Sequence, residues 1–401
     1  MSLPRFLLLL LLIALCLPAC KSPSSKTELP NTEKSTIKPQ RIRFASYNVA
    51  LFRKQAGQLG SDLQTGRDSQ IQNVAAVIQQ VRPDVLALME FDYDESGQLL
   101  RDLQKNYLGV GQHGQEPITY PYALPVASNT GMLSTADFDN DGKIELPQDA
   151  YGFGRYEGQY AFAMLSRYPL DSTQIRSFQK LRWTDMPNAR KPINLDASSY
   201  YSDEAWNIFR LSSKNHIDIP IRTENKQLIH ALLAHPTPPV FDGHEDRNGL
   251  RNYDEIRLLK DYLSNASYLV DDQGKRGGLP EGASFVVMGD LNADPYDGDS
   301  ASGAIQQLLE HPAVHPAAAS GDMVPRSKGG KTYNRRQGDK GDPAFDTAFF
   351  GRRIDYVLPS QDLEVLDSGV FWPAEGEGLY EQVKDKRASD HLLVWVDIGL
   401  K

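Results

Sequence analysis

Cysteine is almost missing from this 401-residue chain: Cys16 and Cys20 are the only two, both within the first twenty residues. The rest of the chain therefore holds no thiol for a disulfide, a zinc thiolate or a nucleophilic attack. A cysteine-free body suits an oxidising compartment, where nothing in it can mispair. Long apolar runs are scarce as well. The stretch 6–17 is too short to span a bilayer comfortably and, behind the single charge of Arg5, has the form of a secretory h-region. Basic charge is also short: 43 Lys and Arg stand against 52 Asp and Glu, a formal net charge of -9, which becomes -10 once residues 1–19 and their one arginine are removed. That balance lacks the broad basic footprint of a duplex-binding protein and argues against nucleic acid as the main substrate. No internal repeat is present, and no Pro- or Gly-rich stretch separates two self-sufficient cores.

What is present begins with Leu17-Pro18-Ala19-Cys20, which resembles the lipobox of bacterial lipoproteins, with Cys20 acylated as the first residue of the mature chain. Residues 1–19 are then a lipoprotein-type signal peptide. The Ser-, Thr-, Pro- and Lys-rich segment to Gln40 reads as a disordered tether with an r.m.s. reach of roughly 25 Å. Lys21, in place of aspartate, resembles outer-membrane sorting. The expectation is a monomer at the bacterial cell envelope, held to the membrane by its lipid alone, with one domain over residues 41–401.

Strands and helices alternate through that domain. Ile42–Val49 reads as a strand, and Asp68–Val81 as an amphipathic helix with Ile71, Val74, Ala75, Ile78 and Val81 on one face. Pro83 stops the helix, and the apolar run to Met89 reads as a strand buried on both faces. Further strands are expected at Ala161–Leu165, Gln227–Ala234, Ser284–Met288, Ile354–Leu358 and Leu392–Ile398, and a helix at Asn252–Leu263.

Six polar clusters stand at the edges of these apolar runs: Tyr47-Asn48, Glu90, His235, Asp290 with Asn292, Asp355, and Asp390-His391. Singly each is weak, since Asp-x-Asn after a strand is commonly a turn. Together, carboxylates, carboxamides and two imidazoles delivered by different strands are what a hard divalent cation and a phosphate ester require. Asn48, Glu90, His235 and Asp290 end their strands, whereas Asp355 and His391 begin theirs. One shared rim therefore demands mixed or antiparallel sheets.

The ordered set Tyr47-Asn48, Glu90, His235, Gly289-Asp290-Leu291-Asn292, Arg353-Ile354-Asp355-Tyr356 and Ser389-Asp390-His391 resembles the endonuclease/exonuclease/phosphatase superfamily. The resemblance implies an α/β fold, the DNase I-like four-layer sandwich of two mixed β-sheets packed face to face with helices outside. Glu90 then supplies the first metal carboxylate, with Asn48 adding a neutral oxygen, and the thiolate-free donor set favours Mg²⁺ or Mn²⁺. Asp290, Asn292 and Asp390 form a second cluster that holds another metal or positions the attacking water. Asp355 and His391 match the family's carboxylate–histidine pair, a proton carrier near neutral pH. His235 matches its second histidine, set on non-bridging oxygens or the leaving oxygen.

Asp137, Asp139 and Asp141 precede Gly142 in a DxDxDG run, an EF-hand-like loop for structural Ca²⁺, with the Lys143 carbonyl and Asp149 as further ligands. Segments 180–221 and 236–247 read as pocket walls, and Arg155, Arg190, Lys191 and Arg247 as candidate phosphate contacts. The resulting expectation is a metal-dependent phosphodiesterase or phosphatase that uses direct water attack. A secreted non-specific nuclease, a sphingomyelinase-like lipid phosphodiesterase and a non-catalytic binding lipoprotein are its alternatives.

Overall fold

The computed structural model describes residues 40–332 and 337–400, which fall within one compact unit, Pro39–Lys401. The signal segment, Cys20 and all of the tether but its last residue lie outside the described residues. That last residue, Gln40, is already sheet, paired with Leu400.

Among the described residues, eleven strands form two mixed sheets. The first has the order β10 (Glu364–Val370), β11 (Val394–Leu400), β1 (Gln40–Asn48), β2 (Val85–Met89), β4 (Phe162–Ser166) and β3 (Tyr122–Val126). The second runs β5 (Arg176–Ser177), β6 (His216–Arg222), β7 (Leu228–Ala234), β8 (Ser284–Asp290) and β9 (Asp355–Pro359). β1 is parallel to β2 and β7 to β8, while β11 and β9 run against their neighbours, as the single-rim argument requires.

The period of two in the strands sorts the core into layers. Ile229, Ala231 and Leu233 of β7 join Val286 and Met288 of β8 in one cluster with Phe44, Leu86, Met164 and Val396 of the first sheet. Leu232, Phe285 and Val287 point the other way, onto Ile256, Leu259 and Tyr262 of helix α5 (Arg247–Leu263). On the outer face of the first sheet lie α1 (Gln58–Thr65), α2 (Ser69–Val81) and α3 (Gln98–Leu103). A short helix α4 (Asp203–Ile208) belongs to the second cluster. The α2 stripe buries Ile71, Val74, Ala75, Ile78 and Val81, and Asp68 caps the helix by accepting from the Ile71 N–H at 2.9 Å. The architecture is thus the four-layer sandwich.

The sequence reading missed β6, which it placed inside a loop. Asp218 and Pro220 interrupt the apolar pattern, yet Asp218 is buried because His230 Nδ1 and the Tyr262 hydroxyl satisfy it. Helix α5 also starts five residues earlier than Asn252. Among the described residues no helix is long and apolar enough to cross a membrane.

Candidate active site

Strand register brings the clusters together. β8 and β9 pair with Asp290 directly opposite Asp355. Asn48 ends β1 against Met89, so Glu90 emerges beside it, and β11 runs against β1 with Ser46 opposite Val394, which returns His391 to the same rim. Local backbone supports these placements. Glu90 and Asn292 both adopt positive φ, at 57° and 52°, turning sharply as their strands end. Gly289 allows β8 to lie hard against β7: a Cβ there would sit 1.9 Å from the Ala234 carbonyl oxygen.

Asp290 is the centre of the group. Its Oδ2 lies 3.4 Å from His235 Nε2 and 3.8 Å from His391 Nε2, and it accepts from Asn48 Nδ2 at 3.1 Å. Its Oδ1 accepts the Asn292 N–H at 3.0 Å, while the Asn292 amide donates to the Pro236 carbonyl at 3.1 Å. His391 Nδ1 is held by Asp355 Oδ2 at 2.9 Å, and Thr347 Oγ1 donates to the same oxygen at 2.8 Å. Ser389 Oγ ties this strand start to the Asn48 carbonyl at 2.7 Å and accepts the His391 N–H at 3.1 Å.

Burial and mutual charge set the protonation states. Burial pushes the Glu90 carboxyl up to about 7 against the pull of His391 and the Asn48 amide, and Asp290 and Asp390 add to the rise. Burial, reinforced by the Lys214 ammonium, pushes His235 down to about 4, so it is neutral at pH 7 despite Asp290. Burial also opposes charge on His391, but Asp355 and Asp290 hold that imidazole well above its ordinary value. Asp290 stays ionised: burial works against it, and His391, His235 and Asn48 outweigh that.

Ligand atoms of Glu90, His235 and Asp290 all lie within 4.8 Å of one another, as do those of Asp290, Asp355 and His391. A cation fits here, because a carboxyl held near neutral pKa by burial and by other carboxylates is a group short of positive charge. Two expected ligands are placed differently. The Asn48 oxygen accepts the Ala50 N–H at 3.1 Å, because Ala50 at φ 46° turns back, and the amide nitrogen faces Asp290. Asp390 is half-buried and adds negative charge to Glu90 and His391, but it belongs to neither close group.

Of the basic residues named from the sequence, Arg190 stacks on Tyr253 at 3.3 Å, Lys191 pairs with Asp203 at 3.6 Å, Arg247 pairs with Glu245, and Arg155 is exposed. The sequence reading passed over Thr347 and the segment Ser212–His216 that leads into β6.

In the acidic loop, ligand atoms of Asp137, Asp139 and Asp149 gather within 4.8 Å. Asp141 stands outside that group: its carboxylate accepts the Lys143 N–H at 2.8 Å and lies 3.8 Å from Lys143 Nζ. Asp149 accepts from the Phe138 N–H at 2.6 Å and the Glu145 N–H at 2.8 Å, so it closes the loop as a brace.

Carboxylates, imidazoles and an amide at one end of a two-sheet sandwich define a metal-dependent phosphoesterase. The chain belongs to the Endonuclease/Exonuclease/phosphatase family, whose pattern matches residues 45–391. No curated protein matches the chain. Among solved structures it is similar to an endonuclease/exonuclease/phosphatase from Beutenbergia cavernae, at 16% identity and a TM-score of 0.48, over 90% of this chain and 72% of that one. An endonuclease/exonuclease/phosphatase family protein from Leptotrichia buccalis is similar at 16% identity and 0.44, over 90% and 100%. A Staphylococcus aureus beta toxin variant with bound magnesium ions is similar at 13% identity and 0.44, over 89% and 99%.

Proposed function

We propose that this chain hydrolyses small extracytoplasmic phosphate esters, with Mg²⁺ or Mn²⁺ at Glu90 and Asp290 and with Asn48 and Asp390 around them. The observation that carries the reading is the position of the Asp290 carboxylate, between two imidazoles of opposite protonation preference and next to a carboxyl in need of a cation. A bound divalent cation supplies Lewis-acid neutralisation of phosphoryl charge. Asp290, kept ionised, orients the attacking water with Asn292. Asp355 and Thr347 fix His391 by Nδ1, which leaves Nε2 free to carry a proton to or from the reacting oxygens. His235, neutral and buried, directs its ring at the phosphoryl oxygens.

The acidic balance of the chain favours small esters over polynucleotides, and the Leu17–Cys20 motif supports attachment to the envelope by lipid. Ca²⁺ at Asp137, Asp139 and Asp149 is assigned a structural role. The test is a panel of aryl phosphate mono- and diesters, plasmid DNA and sphingomyelin, each with Mg²⁺, Mn²⁺, Ca²⁺ or chelator. Turnover of the aryl esters in Mg²⁺ or Mn²⁺ is expected. Plasmid cleavage with a steep salt dependence would replace this reading with the nuclease, and no turnover on any ester would leave a binding protein.

A further inference from the structure

Lys214 is only 7% exposed, in the segment that leads into β6, and its ammonium has no carboxylate partner within 4.0 Å among the described residues. β6 starts with His216 opposite Ala234, so Lys214 comes in beside the turn that carries His235. Its position is fixed from both sides. The Asn129 N–H donates to the Lys214 carbonyl at 2.9 Å, and the Asn215 amide donates to the Ala127 carbonyl at 3.0 Å.

Glu255 on α5 is the nearest candidate for a structural counter-ion, but backbone and hydroxyl donors already occupy it. Its Oε1 accepts from the Ser213 N–H at 2.6 Å and from Ser213 Oγ at 2.9 Å, and its Oε2 accepts from the Thr237 N–H at 2.6 Å. Glu255 therefore fixes the segments carrying Lys214 and His235 relative to each other while making no ion pair with the lysine. Ser213 Oγ donates to the His235 carbonyl at 3.3 Å, so the residue next to it, Lys214, leaves the chain beside the catalytic turn. The charges that act on its ammonium are Glu255, Glu90 and Asp290, with Arg251 opposing.

A buried cation is costly unless it is paired. Here the group is held by three carboxylates at a distance, and it has donors to spare at the place where a phosphate would arrive. We propose that Lys214 is an anion-binding residue of the site beside His235, donating from Nζ to a non-bridging oxygen of the substrate phosphate. This rests on the phosphoesterase reading for its substrate, but an ammonium binds inorganic phosphate whether or not turnover follows. The two are therefore separable.

The experiment compares the full chain with Lys214→Met and Lys214→Arg. It measures inorganic phosphate binding in saturating Mg²⁺, Mg²⁺ binding alone, and kcat and KM on bis(p-nitrophenyl) phosphate. Loss of one charge-assisted hydrogen bond weakens phosphate binding in K214M by roughly 10- to 100-fold, with at least as large a fall in kcat/KM. Mg²⁺ binding should stay the same or tighten, because a positive charge near Glu90 and Asp290 has gone, and K214R should recover part of the phosphate affinity. A purely structural lysine would instead weaken Mg²⁺ and phosphate together and lower the Tm. That result, or phosphate binding in K214M within threefold of wild type, overturns the proposal. A wild type that turns over no ester but binds phosphate through Lys214 would sink the phosphoesterase reading and keep the anion site.

Discussion

Asp290 and Asp355 stand directly opposite each other across the antiparallel pair β8–β9, and His391 Nδ1 bonds to one while its Nε2 faces the other. The pairing register therefore sets the two carboxylates that orient the imidazole, with Thr347 and Ser389 bracing the pair from outside the strands. Removing the imidazole in His391→Ala is expected to lower kcat/KM by about 10²–10⁴-fold. Asp355→Asn keeps the shape but removes the charge that holds His391 protonated, so the histidine-dependent limb of the pH–rate profile moves to lower pH. Residues that act as a unit are non-additive, and the double variant should cost little more than His391→Ala alone. Steady-state kinetics across pH on the four proteins checks this, and additive losses would separate the pair.

Glu90 makes cation binding depend on pH. With the carboxyl raised to about 7, a proton competes with the metal below that pH, and Mg²⁺ affinity should fall by roughly tenfold per unit as pH drops from 7 toward 5. The sign for stability is the reverse. A carboxyl whose folded pKa lies above its unfolded value contributes stability at low pH and loses it as pH rises through the folded pKa. Glu90 at about 7 and Asp92 at about 6 both act in this way and lower the Tm of the metal-free protein between pH 5 and 7.5, while His216 and His235, held near 4 by burial, act in the opposite sense up to their ordinary value. Mg²⁺ restores the Glu90 part, and its effect on Tm should be larger at pH 7.5 than at pH 5. Thermal scans with and without Mg²⁺ at the two pH values, repeated on Glu90→Gln, decide it; an equal shift at both would remove Glu90 from the metal site.

Gly289 tests the scaffold beneath the site. An added Cβ meets the Ala234 carbonyl oxygen at 1.9 Å, and both neighbours are strand backbone, which does not yield as a flexible side chain would. Gly289→Ala should cost about 1–3 kcal/mol as an overpacking change. It should also reduce activity by shifting Asp290, the next residue. Denaturant unfolding and kinetics on the same sample measure both, and an unchanged kcat/KM would show that Asp290 tolerates the displacement.

Much of this site was legible because each cluster ends or begins an apolar run, and a run buried on both faces has few alternatives to a strand. Glu90 after Val85–Met89 and Asp290 after Ser284–Gly289 are of that kind, and all five residues of β2 are buried. β6 was not legible. Its buried Asp218 is tolerated only because His230 and Tyr262 come from elsewhere in the fold, and β5 pairs only with Ile217 and Asp218, so Pro220 lies beyond it, where its carbonyl accepts the Asp171 N–H at 2.8 Å and no N–H is called for. With β6 hidden, Ser212–His216 read as loop although it obeys the same rule as the other clusters: polar residues at the mouth of a strand. The distribution of roles was also beyond the sequence. Whether Asn48 presents oxygen or nitrogen depends on the turn at Ala50, and the grouping of Asp149 without Asp141 depends on which backbone N–H groups each carboxylate has to satisfy.

The acidic loop gives the last prediction, because two of its aspartates differ in what holds them. Asp149 is buried and accepts two backbone N–H bonds, from Phe138 and Glu145. Asp149→Ala therefore strands two donors and should destabilise the protein by about 1–3 kcal/mol for each donor left buried, with or without calcium. Asp139 accepts a single backbone bond at 3.3 Å, from Asp141, and its carboxyl is pushed up by burial and by the neighbouring Asp141, Asp149 and Asp137. Asp139→Asn preserves the turn while removing one charge. Its Tm should match wild type in chelator and fall below it in Ca²⁺. Thermal melts of the three proteins in chelator and in millimolar Ca²⁺ measure the contrast. Equal melts of wild type in the two conditions would mean that the carboxylates brace the loop by backbone hydrogen bonds alone and hold no ion.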